Sequence, residues 1–537
     1  MANLWIKKPL AKLLAESNES GGLKRTLGSR ALVSLGIGAI IGAGLFSITG
    51  GAAANNAGPA VTISFLIAAV ACAFAGLCYA EFASMIPVAG SAYTYSYATM
   101  GEFIAWIIGW DLVLEYAVGA ATVSISWSRY LQRFLGYYDM ELSPAMTMSP
   151  FTTTTLAHDT MINGSLVAKD TLVDGELQAT VVDGALMGGQ LTDGVWQGAE
   201  LVQGMINMPA VFIVVLMSLI LIRGTRGSSR LNGIIVALKV AVVLIFIILG
   251  WGYINTANYL PYVPENTGNF GEFGFSGVVR AAAIIFFAFI GFDAVSTAAQ
   301  EAKNPQKTMP IGILGSLAIC TVLYLLFAHV MTGVTPYTSF AGQDGIAPVA
   351  VAIDQMGPVG PDGIVTPAYP WLNKAIIIAI LAGYSSVIMV MLMGQSRVFF
   401  SMSKDGLLPS IFSRVHATFG TPARSNLIIM LFVSLFAAFV PVRVVGEMTS
   451  IGTLLAFALV CIGVMIMRKN MPNAPRAFRT PWVPFVPIMG VLSCVFMMAF
   501  LPADTWLRLI IWLAIGMVIY FFYSRKRSKL RLEEEGA

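Results

Sequence analysis

Twelve long apolar runs, separated by short polar segments, dominate the chain. Each approaches the roughly 20 residues that an α-helix needs to cross the ~30 Å core of a bilayer. Helices that are apolar on every side are typical of membranes. The runs predict spanning helices near 31–53, 58–86, 102–131, 206–222, 231–254, 277–299, 311–333, 372–396, 426–440, 449–467, 483–501 and 506–523.

Composition supports a membrane protein. Hydrophobic residues make up 57% of the 537 residues and charged residues 11%, against about 45–50% and about 25% in soluble domains. This composition therefore disfavours a cytosolic enzyme, a disordered scaffold and a nucleic-acid binder. The five cysteines lie in apolar runs and the three histidines are far apart, so we expect no disulfide framework, no metal site and no cofactor.

The distribution of Lys and Arg predicts the orientation. With the N-terminus inside, cytoplasmic segments carry 24 of these residues and the outer side carries seven. Such an excess marks the cytoplasmic side. Residues 1–30 are basic and precede a long apolar run without a cleavage pattern. We therefore expect cytoplasmic segments at 1–30 and 524–537, and a multi-pass protein of the cell (plasma or inner) membrane.

One segment, 137–205, does not fit the bundle. It lies between helices 1–3 (31–136) and helices 4–12 (206–523), and it contains nine Asp or Glu but a single Lys. Turn-forming pairs recur at Asn163-Gly164, Asp174-Gly175, Asp183-Gly184 and Asp193-Gly194. Such pairs favour tight turns between strands. They predict a small β-meander outside the membrane; a disordered acidic loop is the alternative.

The first apolar run contains a cluster of glycines, at positions 36, 38, 42 and 44. Each costs a helix about 1 kcal/mol relative to Ala. Close helix packing through Gly38-xxx-Gly42 is one interpretation. The other is an unwound stretch at mid-membrane, where the N–H groups of Gly42, Ala43 and Gly44 and the following helix N-terminus would bind a carboxylate.

The sixth run is interrupted by Gly291 and Asp293. In transporters with inverted repeats the corresponding helices of each half are broken, and runs 1 and 6 correspond if the repeat is five plus five. Unwinding before Asp293 would free the carbonyls of 287–290 to accept a substrate ammonium group. Asp293 itself is interpreted either as the N-cap of the second half-helix or as a direct ligand.

Two charged residues lie within spans. Glu115 is near the middle of span 3, where an ionised group costs at least ~2.5–3.5 kcal/mol; it either hydrogen-bonds a neighbouring helix or faces the substrate side chain. Lys239 lies about nine residues, hence ~13 Å, into span 5. It either extends to the inner surface or stays buried and exchanges a proton as the hydration of the site alternates. Tyr384, Ser385 and Ser386 of span 8 offer hydroxyls within its reach.

Several ordered motifs resemble the amino acid–polyamine–organocation (APC) superfamily, and in particular its cationic amino acid transporter-like branch. They are Gly36-Ile-Gly-Ala-Ile-Ile-Gly-Ala-Gly-Leu-Phe46, Tyr79-Ala-Glu-Phe-Ala-Ser84, Pro87-x-x-Gly-Ser-Ala-Tyr-Thr-Tyr95, Phe286-Phe-Ala-Phe-Ile-Gly-Phe-Asp-Ala-Val-Ser296, Glu301-Ala-Lys-Asn-Pro305 with Pro310-Ile-Gly, and Gly394-Gln-Ser-Arg-Val398 with Ser403-Lys-Asp-Gly-Leu-Leu-Pro409. The resemblance covers about 25–500, apart from 137–205.

This resemblance implies an all-α polytopic protein with a LeuT-like fold: 12 transmembrane helices, formed by two inverted five-helix repeats plus two C-terminal helices. The substrate carboxylate would meet residues 41–44, and its ammonium the carbonyls of Ile40, Phe287, Ala288 and Ile290. Phe289 would be the gating aromatic, Glu115 would accept basic side chains, and Lys239 would couple the proton. Ala43 stands where relatives often carry a hydroxyl residue, and nothing transfers onto the 137–205 insertion.

We therefore expect a secondary active transporter that takes up an amino acid, cationic or small and neutral, together with a proton by alternating access. A gradient-independent exchanger or facilitator with the same fold is the first alternative. An amino acid sensor that does not transport is the second. A membrane enzyme is disfavoured, because the sequence carries neither an HExxH motif nor a plausible Ser–His arrangement. The expected partners are the amino acid, the proton and the lipid bilayer.

Overall fold

Helices dominate the structure. A computed structural model describes residues 4–19, 27–86, 88, 90–140, 142–155, 160–162, 165–167, 179–182, 185–192, 195–224, 228–299, 302–340, 348–359 and 365–535. The α-helices are α1 (Leu10–Glu19), α2 (Ser29–Ile40), α3 (Thr49–Ala52), α4 (Val61–Met85), α5 (Ser91–Thr99), α6 (Glu102–Val113), α7 (Gly119–Gly136), α8 (Met208–Arg223), α9 (Ser228–Gly250), α10 (Gly274–Ile285), α11 (Ala294–Thr297), α12 (Pro305–Val334), α13 (Pro348–Asp354), α14 (Pro370–Lys404), α15 (Ala423–Phe439), α16 (Val442–Asn470), α17 (Phe485–Ala499), α18 (Ala503–Ile519), α19 (Arg525–Arg527) and α20 (Lys529–Glu535).

Wider π-helical turns extend several of these helices. Turns at Gly44–Ile48 and Ala53–Ala57 flank α3 and make one helical stretch with it, and a turn at Leu114–Val118 joins α6 to α7. The last of these turns contains Glu115. Turns of this kind are rare and occur frequently at functional sites.

In the part of the chain that the structure describes, eight helical stretches are long and apolar enough to cross a membrane by length and composition: Ser29–Met85, Glu102–Gly136, Gly233–Tyr253, Gly274–Thr297, Pro305–Val334, Pro370–Lys404, Val442–Asn470 and Ala503–Arg527. The first contains 57 residues and covers the first two predicted runs. Three shorter apolar helices, α8, α15 and α17, fall on further predicted runs. The protein is thus a helical membrane protein, while the count of twelve spans stays a prediction.

Short strands occur in the insertion between α7 and α8. They are β1 (Thr153–Thr155), β2 (Thr160–Ile162), β3 (Ser165–Val167), β4 (Ala179–Val182), β5 (Ala185–Thr192) and β6 (Val195–Gln203). Four form an antiparallel sheet in the order β1-β6-β5-β4, and β2 pairs with β3. The four predicted Gly-containing turns lie outside the described residues, and the position of the insertion relative to the membrane stays a prediction.

The core is formed around the broken helices. The long helix α12 packs on α2 and α4, α14 packs on α7 and α9, and α16 packs on α4, α17 and the Leu114–Val118 turn. These contacts surround the segments between α2 and α3 and between α10 and α11, where residues are almost entirely buried. The two interrupted segments therefore lie at the centre of the bundle.

A buried ion pair connects α4 to the last turn of α16 and to the segment that follows it. Both carboxylate oxygens of Glu81 accept hydrogen bonds from Arg468, at 2.7 and 2.8 Å, and the Nε of Arg476 lies 3.1 Å from Oε1. The backbone N–H of Thr480 also donates to Glu81, at 2.8 Å. Glu81 is fully buried, whereas the ion pair of Lys12 with Glu533 is exposed.

We expect Glu81→Gln to lower the stability of the fold by about 3–5 kcal/mol, since removal of one partner leaves the other charges buried and uncompensated. The matched control is Lys12→Ala, which removes an exposed ion pair and should change the stability little. Thermal unfolding of the purified protein in detergent measures both. Equal unfolding temperatures for the two variants would contradict this account of the Glu81 ion pair.

Candidate functional site

The first predicted break is present in the structure. Helix α2 ends at Ile40, Ile41 is extended (ψ 105°), and helical structure resumes in the turn Gly44–Ile48. The interruption coincides with the glycine cluster, where helix formation is costly. Residues 42–44 thus precede a helical N-terminus, whose first N–H groups have no intrahelical acceptor and carry partial positive charge.

The second predicted break separates α10 from α11. Helix α10 ends at Ile285, a 3₁₀ turn covers Phe286–Phe289, and Ile290 is extended (ψ 135°). Gly291 has φ of +118°, and a Cβ at this position would lie 2.8 Å from the carbonyl carbon of Ala39. Both its backbone conformation and its close contact with α2 require glycine.

The two breaks touch each other. A Cβ on Gly44 would lie 2.2 Å from the Cα of Ala288, so the backbones of the two interrupted segments are in direct contact. On the other side, a Cβ on Gly42 would meet Val387 of α14 at 3.3 Å. At the glycine cluster the chain is therefore unwound, and it is also closely packed there through Gly42 and Gly44.

Lys239 is buried and contacts the end of α2. Its Nζ donates hydrogen bonds to the carbonyl oxygens of Gly38, at 2.8 Å, and Ile41, at 3.1 Å. The side chain is 1% exposed, so it does not extend to the inner surface. A lysine at this point supplies donors to carbonyls that α2 leaves unpaired where it ends, and its charge complements the negative end of the helix dipole.

The expected contact between Lys239 and the hydroxyls of α14 is not formed. Tyr384 shares a hydrogen bond of 2.8 Å with Ser47, and Ser385 donates to the carbonyl oxygen of Leu381. The hydroxyl of Ser386 is buried and has no hydrogen-bond partner among the described residues. The physical reason is the rotation of α14, which turns Gly383 towards the lysine: a Cβ there would lie 2.8 Å from the Lys239 Cε.

Tyr324 of α12 belongs to the site although the sequence reasoning missed it. Its hydroxyl lies 2.9 Å from the carbonyl oxygens of both Ile40 and Ala288. These carbonyls, one from each broken helix, are two of the four expected to accept the substrate ammonium. A third, that of Phe287, accepts the N–H of Ile290 at 3.2 Å. The signal for Tyr324 was a hydroxyl in an apolar run, because a buried tyrosine usually finds an acceptor.

Asp293 occupies the N-cap position of α11, but its side chain makes no capping hydrogen bond. Its carboxylate instead accepts the hydroxyl of Tyr116, at 2.5 Å, and the N–H of Gly291, at 3.3 Å. The side chain therefore stabilises the loop within the break and links it to the turn that contains Tyr116. Tyr116 is a second residue that the sequence reasoning missed.

Glu115 is fully buried, and neither carboxyl oxygen has a hydrogen-bond partner among the described residues. Whether Glu115 hydrogen-bonds a neighbouring helix or faces the substrate side chain stays a prediction. The group lies beside the carboxyl group of Asp293 and interacts with it electrostatically.

Phe289 closes one side of the break in the sixth run. It is fully buried, and its ring lies 6.2 Å from that of Phe65 and 5.3 Å from that of Tyr324. The structure thus brings most of the predicted residues together at the two breaks, and Lys239 joins them through α2. Among the described residues, no group of three or more His, Cys, Asp or Glu side chains is placed to hold a metal ion.

The sequence of the whole bundle matches a known family. Residues 27–522 match the family model for amino acid permeases. The chain belongs to the amino acid permease family. The predicted resemblance to the APC superfamily is thereby confirmed.

Several relatives align with nearly the whole length of this permease. It is 41% identical to the branched-chain amino acid permease of Bacillus subtilis, over 98% of this chain and 99% of that protein. It is 39% identical to the methylthioribose transporter of the same organism, over 99% and 100%. The chloroplastic cationic amino acid transporter 9 of Arabidopsis thaliana is 34% identical over 91% of this chain and 75% of its own length.

We expect Gly44→Ala to abolish transport, because the added methyl group would push the two breaks apart by more than the contact with Ala288 allows. The matched control is Gly51→Ala in the same helical stretch, where a Cβ would meet no atom within 4 Å. Amino acid uptake by proteoliposomes, together with the unfolding temperature, measures the effect. Wild-type uptake by Gly44→Ala would contradict the requirement for close backbone contact.

Proposed function

We propose that this permease is a proton-coupled transporter that takes up amino acids by alternating access. In this proposal it has the LeuT-like arrangement of twelve spans, with two inverted five-helix repeats and two further helices. It resides in the cell membrane with both termini in the cytoplasm and the 137–205 insertion outside. The excess of Lys and Arg on the proposed inner side supports that orientation.

The observation that carries the proposal is the contact between two broken helices at the centre of the bundle. The N–H groups of Gly42, Ala43 and Gly44 would receive the substrate carboxylate at the positive end of a helix. The carbonyls of residues on the two breaks would receive its ammonium group. Main-chain groups of opposite polarity within a few residues of each other suit a zwitterion, which is the part that all amino acids share.

Substrate and Tyr324 would share carbonyls. Each carbonyl oxygen has two lone pairs and an ammonium group offers three donors. The ammonium can therefore bind Ile40 and Ala288 while the tyrosine hydroxyl retains one of them. The extended backbone at Ile290 offers a further carbonyl, and Phe289 would shield the bound substrate from one side.

Lys239 would couple substrate to proton. Its ammonium group holds the carbonyls of Gly38 and Ile41, directly before the proposed carboxylate site. Loss of the proton would remove the charge and one of the three N–H donors from this end of α2, and so would weaken both hydrogen bonds and loosen the helix. Movement of α2 during the transport cycle would then depend on the protonation of Lys239, whereas Ser386, which does not contact it, would act only in another conformation.

We expect Lys239→Ala to lose accumulation driven by a pH gradient in proteoliposomes while it retains counterflow exchange without a gradient. The exposed Lys307→Ala is the matched control and should accumulate substrate as the wild type does. Accumulation by Lys239→Ala would overturn proton coupling through this lysine. A wild-type protein that exchanges but never accumulates would indicate an exchanger instead.

The side chain of the substrate would face Glu115. Relatives are described as transporters of branched-chain amino acids, of methylthioribose and of cationic amino acids. Membership of the family therefore does not identify the side chain of the substrate. A carboxyl group without a hydrogen-bond partner among the described residues is available to a basic side chain. We therefore propose that cationic as well as small neutral amino acids are accepted.

We expect arginine and alanine both to compete with labelled alanine for uptake by the wild type. Glu115→Gln should lose competition by arginine and keep competition by alanine, because the amide has nearly the same shape but no charge. Competition by all twenty amino acids, measured in both proteins, tests this. Unchanged competition by arginine in Glu115→Gln would remove Glu115 from the recognition of basic side chains.

A further inference from the structure

The base of the insertion between α7 and α8 exposes large apolar side chains. Phe151 is 80% exposed, Met205 67% and Met146 54%. They lie in two stretches, residues 142–152 and 204–207, which together we call the pedestal. Side chains of this size normally leave water when a protein folds, because their burial is favourable. A concentration of exposed ones at one place indicates contact with another apolar body.

Main-chain hydrogen bonds hold the two stretches of the pedestal together. The carbonyl oxygen of Ala145 accepts the N–H of Met205 at 2.8 Å, and the carbonyl oxygen of Thr152 accepts the N–H of Gly204 at 2.9 Å. The two acceptors are chain neighbours of the other two exposed residues. All three exposed side chains therefore belong to one compact unit.

The pedestal is attached where two apolar helices end. Asn207, its last residue, caps α8, since its side chain accepts the N–H of Ala210 at 3.2 Å. The N–H of Asn207 donates to the carbonyl oxygen of Ala438, in the last turn of α15, at 3.1 Å. The pedestal is thus joined to the first turn of one apolar helix and to the last turn of its neighbour.

Helix α8 continues the exposed apolar surface. One side chain in each turn is exposed, at Met208, Phe212, Leu216 and Ile220, and residues four apart share one face of a helix. Other side chains of α8 are buried where it packs on α7 and α15. A helix that is apolar on its exposed face as well as on its packed face is typical of contact with lipid. Met205 precedes this exposed face by three residues, so the pedestal extends it.

Helix α8 is too short to cross a bilayer by itself. Its 16 residues span about 24 Å at 1.5 Å per residue, whereas the hydrocarbon core is ~30 Å thick. At its other end the helix stops with Arg223 and Gly224, which are not suited to the core. The missing apolar length therefore falls at the end that carries the pedestal.

The distribution of charge divides the insertion in the same way. The two stretches of the pedestal contain no charged side chain, whereas residues 153–202 contain seven Asp or Glu. Charged groups are costly within a bilayer. The composition of the pedestal is therefore compatible with lipid, and that of the acidic remainder with water.

We propose that the pedestal is immersed in the lipid leaflet around the N-terminal end of α8, with Met146, Phe151 and Met205 among the acyl chains. It holds the base of the insertion at the bilayer surface. Because the contact is apolar, it requires no particular headgroup charge. This inference goes beyond the proposed function, and it depends neither on transport nor on the orientation of the chain.

Spin labels on the full-length protein measure the immersion. The five native cysteines are buried, so a methanethiosulfonate spin label added after Met146→Cys, Phe151→Cys or Met205→Cys reports on that position. In phosphatidylcholine liposomes, oxygen concentrates in the bilayer, whereas a nickel chelate stays in water. We expect the oxygen-to-nickel collision ratio at each position to be several-fold higher than at Glu534→Cys, an exposed site on α20, and similar to that at Phe212→Cys.

Three other outcomes would each overturn the inference. Preferential collision with nickel at all three pedestal positions, as at Glu534→Cys, would place the patch in water. Few collisions with either reagent would show that protein, such as a second copy of the chain, covers it. A high ratio that is found only in liposomes with phosphatidylglycerol would assign the contact to headgroup charge.

A second measurement tests whether the apolar side chains hold the pedestal in the bilayer. With the label at Phe151→Cys, we expect Met146→Asp together with Met205→Asp to lower the oxygen-to-nickel ratio several-fold, because carboxylates are drawn into water. The matched control is a label at Leu216→Cys in the same double-aspartate variant, whose ratio should stay unchanged because α8 remains in place. An unchanged ratio at the Phe151→Cys label would overturn the role of these side chains.

Discussion

Peptide groups inside a bilayer have no water to bind, so every break in a spanning helix must be satisfied by the protein or by its ligand. This constraint organises the centre of the permease. At the end of α2, Lys239 donates to two carbonyls; across the two breaks, the hydroxyl of Tyr324 lies between the carbonyls of Ile40 and Ala288; in the second break, Asp293 accepts the N–H of Gly291. Each of these polar side chains lies in a segment whose other residues are mostly apolar.

The close approach of the two breaks has the same origin. Gly44 against Ala288 and Gly291 against Ala39 leave no room for side chains, so main-chain groups of both helices lie together. Because polar main-chain atoms are concentrated there, the surrounding helices must exclude lipid on all sides. The packing of α12 and α16 around this region provides that enclosure. The breaks and the bundle that covers them are therefore one structural unit.

Many residues of this centre could be predicted from the sequence, because glycines and charged residues are unusual in otherwise apolar runs. Four glycines in one run, Gly291 with Asp293 in another, and the isolated charges Glu115 and Lys239 are each costly in a membrane helix. What could not be predicted is rotation about the helix axis. The sequence places Ser386 and Gly383 within one turn, but only the structure turns Gly383 to Lys239 and leaves Ser386 apart. The roles of Tyr324 and Tyr116 could not be predicted for the same reason. Both residues lie in apolar runs, but the sequence does not show towards which neighbour their side chains are rotated.

The insertion illustrates a different limit. Its repeated Asn-Gly and Asp-Gly pairs predict turns, yet those residues lie outside the described part of the chain. The strands β4, β5 and β6, which flank the last two pairs, are described. Turn chemistry indicates that strands reverse direction, but not which strands pair over longer distances. The pairing of β1 with β6, which encloses the rest of the insertion, is a long-range contact of this kind.

The position of Lys239 has a consequence for how such proteins diversify. One ammonium group supplies both the buried positive charge and the hydrogen bonds that hold the end of α2, so the two properties cannot be altered separately by substitution. In a relative without this lysine, another cation, such as a metal ion, must bind the same carbonyls. Otherwise the end of α2 is held less firmly. A change in how the end of α2 is held is then confined to a single position, while the other residues around the two breaks are free to vary.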